Sequence, residues 1–162
     1  MIRPDQFMKH FIAPALKTMA RVEPRIDSPA ARNLLLGTAI QESRLKYLDQ
    51  HGDRPDEALS FFQIEPATFR DVFERYVPEN ETHLLPGLHK LLMPGLVPID
   101  QLAGNTMFAC AIARVRYWMS PLPLPMADDI DALGVYWKSI YNTAGGAGTA
   151  AEFSLHYRKF VR

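Results

Sequence analysis

The sequence predicts a mainly α-helical single domain with little or no β-sheet, and three observations carry that prediction. Apolar residues recur at three- and four-residue spacing in several separate stretches, the period of a helix face. Helix-start signatures precede two of those stretches, Ser28-Pro29 and Thr149 with Glu152. No convincing hairpin signal and no internal repeat interrupts them.

Composition bounds the answer. A chain of 162 residues is long enough for one domain with a sizeable core. Eighteen basic and 18 acidic residues give a formal net charge of zero. That balance argues against a dedicated nucleic-acid binder or a polybasic membrane anchor. The single cysteine, Cys110, excludes an internal disulfide framework and a Cys-rich zinc site, and it lies in an apolar helical run. The stretch MIRPDQFMKHF has no continuous apolar core, so no secretory leader is visible, and no stretch has transmembrane length. The expectation is a chain made in the cytoplasm without a leader.

Residues 5–20 form a first helix, with Asp5 as its cap, Phe7, Phe11, Ala15 and Met19 on one face, and a kink at Pro14. This helix is expected to pack outside the next one. That next helix, the stretch from Ser28 to Leu48 around which the chain is organised, reads as one buried helix. Ser28 caps it and Pro29 fits its first position. Leu35, Thr38, Ala39, Glu42 and Leu45 follow at helical spacing. Glu42 thus stands on a mostly apolar stripe, where loss of hydration favours its acid form and raises its pKa. A general acid needs that state near neutral pH. The plain alternative is a carboxylate paired with Arg, Lys or Tyr for structural reasons. Thr38 can bond a backbone carbonyl or the carboxyl itself. Gly37 allows close packing by a neighbour.

Residues 49–60 read as a polar surface loop. Asp49, Asp53, Asp56 and Glu57 are candidates there for a second carboxylate, although acidic loop residues are usually solvated. Phe61, Phe62 and Ile64 favour an extended segment, and Gln63 among them needs partners. A short helix covers Thr68 to Tyr76. Residues 77–100 alternate Pro-Gly breaks with leucines, with a short helix near Leu88–Met93. His83 and His89 have no zinc-ligand spacing and read as surface or structural residues. A long central helix is expected from about Asp100 to Trp118, with Asn105 inside it seeking a backbone carbonyl or a ligand. Ser120–Pro125 is an extended proline-rich connector rather than an SH3 ligand. Another helix covers about Asp128 to Tyr141. It stops at a glycine-rich loop, residues 142–148, whose backbone can approach a ligand closely. That loop is not a phosphate loop, since no Lys-Ser/Thr follows. Thr149 and Glu152 form a capping box for a last helix through Phe153, His156 and Phe160.

Taken in order, Glu42-Ser43, Ser60 with Phe62-Gln63-Ile64 and Pro66-Ala67-Thr68, Asn105, and Tyr141-Asn142 with Gly145-Gly146 resemble the soluble lytic transglycosylase and goose-type lysozyme superfamily. The resemblance spans about residues 33–150. It implies a lysozyme-like helical fold with a substrate cleft, and cleavage of the MurNAc–GlcNAc bond of peptidoglycan with Glu42 as catalytic acid. Ser43 would position the sugar, and Gln63 would line the cleft. Tyr141 would hydrogen-bond the Glu42 carboxyl, Asn142 would buttress the site, and Asn105 would brace the floor or meet substrate. No metal or organic cofactor is implied, and peptidoglycan glycan strands are the partner expected of a monomer.

A lytic transglycosylase uses one Glu as acid and then as base and leaves a 1,6-anhydro end. Hydrolysis ordinarily needs two carboxylates, and Asp49 or Asp53 could supply the second. Phe61 and Phe62 are bulkier than the residues usual in that segment, which puts the subsites in question. Absence of a leader fits a bacteriophage protein acting at the cell wall, released by a holin or carried in a virion among other virion proteins. Two readings compete with the enzyme. One is a non-catalytic virion structural or interaction protein that keeps the scaffold. The other is a carbohydrate-binding module using the same cleft.

Overall fold

A computed structural model describes residues 1–49, 57–142 and 146–161. Asp53, Asp56 and Gly145 lie outside them. The described residues are mainly helical; their β-structure is limited to two isolated bridges, Asp49 with Leu59 and Leu59 with Ile64. Among the described residues, seven helices are longer than a single turn: α1 (residues 4–19), α2 (Pro29–Ser43), α3 (residues 66–80), α4 (Leu85–Leu91), α5 (Thr106–Trp118), α6 (residues 130–142) and α7 (Ala150–Phe160).

The centre is α5. Residues 108–115 are all buried, because alanines and Cys110 let neighbouring helices approach on every side. It touches α1, α2, α3, α4 and α6, while α7 packs across α2 and α6. So α1 packs on both central helices rather than only outside α2. One continuous apolar core results, running from Phe7 to Tyr157.

Proline shapes two of the helices. In α1 the segment Met8–Ile12 widens to a π-turn, and the Ala13 N–H donates to the Met8 carbonyl. In α3 the same happens over Arg70–Tyr76, where the Val77 N–H donates to Val72. Each widening comes just before a proline, Pro14 or Pro78, whose ring would clash with the carbonyl four residues back in a regular α-helix. Both helices therefore continue through the proline, and α3 runs past Tyr76, where the sequence reading ended it. Asp5 is not a side-chain cap; it pairs with Arg3 in the first turn.

The single helix expected over 100–118 is two pieces. A turn, Gln101–Gly104, ends at Asn105 (φ −109°, ψ 80°), whose Oδ1 accepts the Phe108 N–H at 3.1 Å and so caps α5. The expected extended segment at Phe61–Phe62 is instead a tight turn. Leu59 and Ile64 exchange N–H···O bonds of 3.0 and 2.8 Å, and Ser60 and Gln63 take positive φ of 71° and 47°. The turn drives Phe61 and Phe62 into the core against Phe7, at ring distances of 5.3 and 6.1 Å. Their bulk fills the interior and does not narrow a cleft. The Thr149–Glu152 capping box is formed.

Candidate functional site

Glu42 is the penultimate residue of α2. The helix begins where Ser28 Oγ accepts the Ala31 N–H at 3.1 Å. It ends at Ser43 instead of running on to Leu48, because Arg44 and Leu45 both turn left-handed, at φ 55° and 53°. Midway, Gly37 lets α7 lie directly against the helix; a Cβ there would fall 2.1 Å from Phe153 Cζ. On the same turn Thr38 Oγ1 donates to the Leu34 carbonyl at 2.8 Å and bonds the Tyr117 hydroxyl at 2.7 Å, so it does not reach the Glu42 carboxyl.

The Glu42 side chain opens into a cleft of about 370 Å³ that Gln63, Glu65, Thr68, Arg116, Tyr141 and Asn142 also line, closed by Gly146 and Ala147. Four helices and one turn therefore converge on it. Burial pushes the Glu42 pKa up to about 7, against the opposing pull of the Trp137 hydrogen bond and the Arg44 charge. The Trp137 indole N–H donates to Glu42 Oε1 at 3.0 Å. An indole nitrogen can only donate, so Oε1 stays an acceptor and the proton of the neutral acid belongs on Oε2.

The neighbouring polar groups are oriented just as definitely. Lys138 Nζ donates to Asn142 Oδ1 at 2.7 Å and to the Gly146 carbonyl at 2.8 Å. Asn142 thus keeps its NH₂ donors for the cleft. Gln63 Nε2 donates to the Ser60 carbonyl at 2.9 Å, which leaves its Oε1 as an acceptor. Arg116 makes no hydrogen bond or ion pair among the described residues. The cleft thus presents an acid, amide donors, an amide acceptor and a cation, a set suited to a polar, hydroxyl-rich ligand.

The structure brings together Glu42, Gln63, Tyr141 and Asn142. It separates the other two residues singled out from the sequence. Ser43 is buried, and its hydroxyl donates to the Ala39 carbonyl at 2.9 Å. The next helical position lies about 100° around the axis, which turns Ser43 into the core when Glu42 faces the cleft. Asn105 does not line the cleft either: its amide is spent on Phe108 N–H, the Leu91 carbonyl at 2.8 Å and Gln101 Oε1 at 3.2 Å. Asp49 is exposed and is not a cleft residue.

Tyr141 does not hydrogen-bond Glu42. Its hydroxyl donates to the Phe62 carbonyl at 2.9 Å, an acceptor that the tight turn leaves without a backbone partner. Its ring stacks on Tyr117 with centroids 5.2 Å apart. The carboxyl's partner is Trp137, one helical turn earlier, which the sequence reading placed only on an apolar face. A buried indole needs an acceptor, and Trp137 shares a face with Tyr141, so the signal was present. Glu65 and Arg116 were missed as well. Glu65 reads as a residue before Pro66, and Arg116 is hidden in an apolar run.

No group of three or more His, Cys, Asp or Glu among the described residues is placed to hold a metal ion. No helix among them is long and apolar enough to cross a membrane. Comparison with protein-family models, with curated proteins and with solved structures finds no match to this chain.

Proposed function

We propose that the chain cleaves peptidoglycan glycan strands at the MurNAc–GlcNAc β-1,4 bond, with Glu42 as general acid and then base. One observation carries the reading: a half-buried carboxyl in a sugar-sized cleft, its pKa pushed up to about 7 by burial, with one oxygen held by Trp137. Such an acid is largely protonated just below neutral pH and can still give up its proton.

In this mechanism Glu42 Oε2–H protonates the glycosidic oxygen as the C–O bond breaks. The resulting carboxylate then takes a proton from the MurNAc 6-hydroxyl, giving a 1,6-anhydro end, or from a water, giving a reducing end. Among the described residues the cleft offers one further carboxyl, Glu65, for the hydrolytic route, in place of the exposed Asp49. Asn142 NH₂ and Gln63 Oε1 meet sugar hydroxyls or acetamido groups. The single-Glu route is preferred, since it needs no group beyond the one whose environment is tuned. The same reading includes a lysozyme-like fold and a role at the bacterial wall in phage infection or lysis.

Digestion of purified sacculi tests it. Wild type is expected to clear them and Glu42→Gln, which keeps the shape and removes the acid, is not. Equal, non-zero clearing by both discards the assignment. Mass spectrometry of the released muropeptides separates the two routes, because an anhydro end is lighter by one water.

A second reading has its own support. Ser43 turned into the core and Asn105 used as a cap are departures from the roles the family resemblance implies. They favour a scaffold kept without turnover, as in a virion structural protein. That reading expects the chain as a stoichiometric particle component, inert on sacculi.

A further inference from the structure

A buried guanidinium without a carboxylate lies away from the cleft. Arg114 is on α5, two residues before Arg116, and so projects from a different side of the helix. It is 3% exposed. Its Nε donates to the Ile26 carbonyl at 2.8 Å, and no ion pair reaches it among the described residues. Asp27, the acid whose charge it feels, is committed to Arg32 through bonds of 2.7 and 2.6 Å.

The two Nη groups bond nothing among the described residues. Every fully enclosed side-chain nitrogen or oxygen among those residues has a partner. The Nη groups must therefore reach open space. That space is a cavity of about 540 Å³ bordered by Arg114, Arg25, Trp118, Tyr136 and the Ser120–Leu124 connector. It shares no lining residue with the Glu42 cleft.

Compensation within the protein is partial. The Arg114 guanidinium lies 5.3 Å from the centre of the Trp118 ring, but Arg25 uses the same ring at 5.5 Å. Arg25 itself is held by Glu23 at 2.9 and 3.0 Å. The Ser120 hydroxyl accepts the Leu122 N–H at 3.2 Å and keeps its own proton to donate. Tyr136 spends its hydroxyl on the Leu122 carbonyl at 3.0 Å. Cationic donors thus converge on the cavity with only neutral hydroxyl and carbonyl oxygens, and no carboxylate, among its described lining residues. A buried charge is costly unless something pairs with it. Burial lowers the Arg114 pKa only to about 10, so the cation persists at neutral pH.

We propose that this cavity is a second ligand site, which takes a carboxylate anion on Arg114 with an apolar body against Trp118 and the prolines of the connector. A guanidinium fork matches a planar carboxylate through two parallel hydrogen bonds, with the Ser120 hydroxyl available as a third donor. The Trp118 ring and Pro121 and Pro123 suit a flat or aliphatic group attached to that carboxylate. This inference does not rest on the glycan chemistry proposed above.

The test uses the full chain and sodium benzoate as probe, with the neutral isostere benzamide and inorganic phosphate as comparators at constant ionic strength. The ¹⁵N-detected Arg114 Nε–H resonance is expected to shift saturably with millimolar benzoate and not with benzamide. Benzoate is expected to raise the melting temperature of the wild type and of Arg116→Met, but not of Arg114→Met. Arg114→Lys, which keeps the charge without the fork, is expected to retain a weaker response. A second arm compares a short peptide with a free C-terminal carboxylate against its amide; preference for the acid over benzoate identifies a chain terminus as the source. A non-saturating shift, an equal response to benzamide, or a full response in Arg114→Met overturns the proposal. A phosphate response at least as strong as the benzoate response overturns the carboxylate assignment. The wild-type resonance decides the matter even if Arg114→Met does not fold.

Discussion

The Trp137 indole N–H and the Glu42 carboxyl meet at 3.0 Å across 95 residues of chain. The bond joins the end of α2 to α6 at the cleft. It also opposes burial, because donation to a carboxylate favours the ionised form. Trp137→Phe is therefore expected to move the Glu42 pKa upward from about 7. The cavity left by the smaller ring should cost on the order of 1–3 kcal/mol of stability. A ¹³C titration of the carboxyl reads the shift, and an unchanged or lower value refutes the role given to the indole.

Glu42 should make the fold less stable as pH rises. Its folded pKa of about 7 lies above the ordinary glutamate value of 4.5, so the folded state holds the proton more tightly. The sign is then fixed: between those values the folded state binds more protons than the unfolded one, and stability falls with increasing pH. Above both values the penalty is roughly 3 kcal/mol, at about 1.4 kcal/mol per pKa unit. Glu42→Gln is expected to melt higher than wild type at pH 8 and to lose that advantage near pH 4. Denaturant melts at the two pH values check it; a difference independent of pH would count against the buried acid.

Gly37 sets how closely α7 approaches α2. An added Cβ would overlap the Phe153 ring, with 2.1 Å to Cζ and 2.8 Å to both Cε atoms. Gly37→Ala is expected to destabilise the fold by about 1–3 kcal/mol through overpacking. Phe153→Leu should recover part of that loss in the double variant, measured by a double-mutant cycle. Simple additivity of the two losses would show that the contact is not the cause.

Asn105 separates a capping role from a ligand role. Asn105→Ala removes the acceptor for Phe108 N–H and the donor to the Leu91 carbonyl. A loss of about 1–2 kcal/mol is expected from the missing cap. Under the proposed glycan chemistry, sugar affinity and turnover per folded molecule should stay unchanged. A drop in affinity at full folding would return Asn105 to the cleft.

Much of the local structure was legible because it depends on local chemistry. The Ser28-Pro29 start, the Thr149–Glu152 box and the helical period of α2 each need only residues within one or two turns. The rise of the Glu42 pKa was legible for the same reason, since Leu35 and Ala39 mark the stripe on which it stands, although Leu45, expected to continue that stripe, lies past the helix end. Asn105 shows where local reading fails. Its flanks look helical, yet its amide finds better partners by ending one helix and starting another.

The sequence by itself determined that this is a chain of amphipathic helices with a carboxyl on an apolar face. Periodicity and capping act over a few residues, and those residues are adjacent in the chain. Only the tertiary structure decided which groups meet. Trp137 rather than Tyr141 holds Glu42, Ser43 faces the core, Phe61 and Phe62 fill the interior, and Arg114 lines a cavity of its own. Those outcomes depend on the direction in which each side chain leaves its helix and on which long-range partner satisfies each buried donor, and neither is encoded in local spacing.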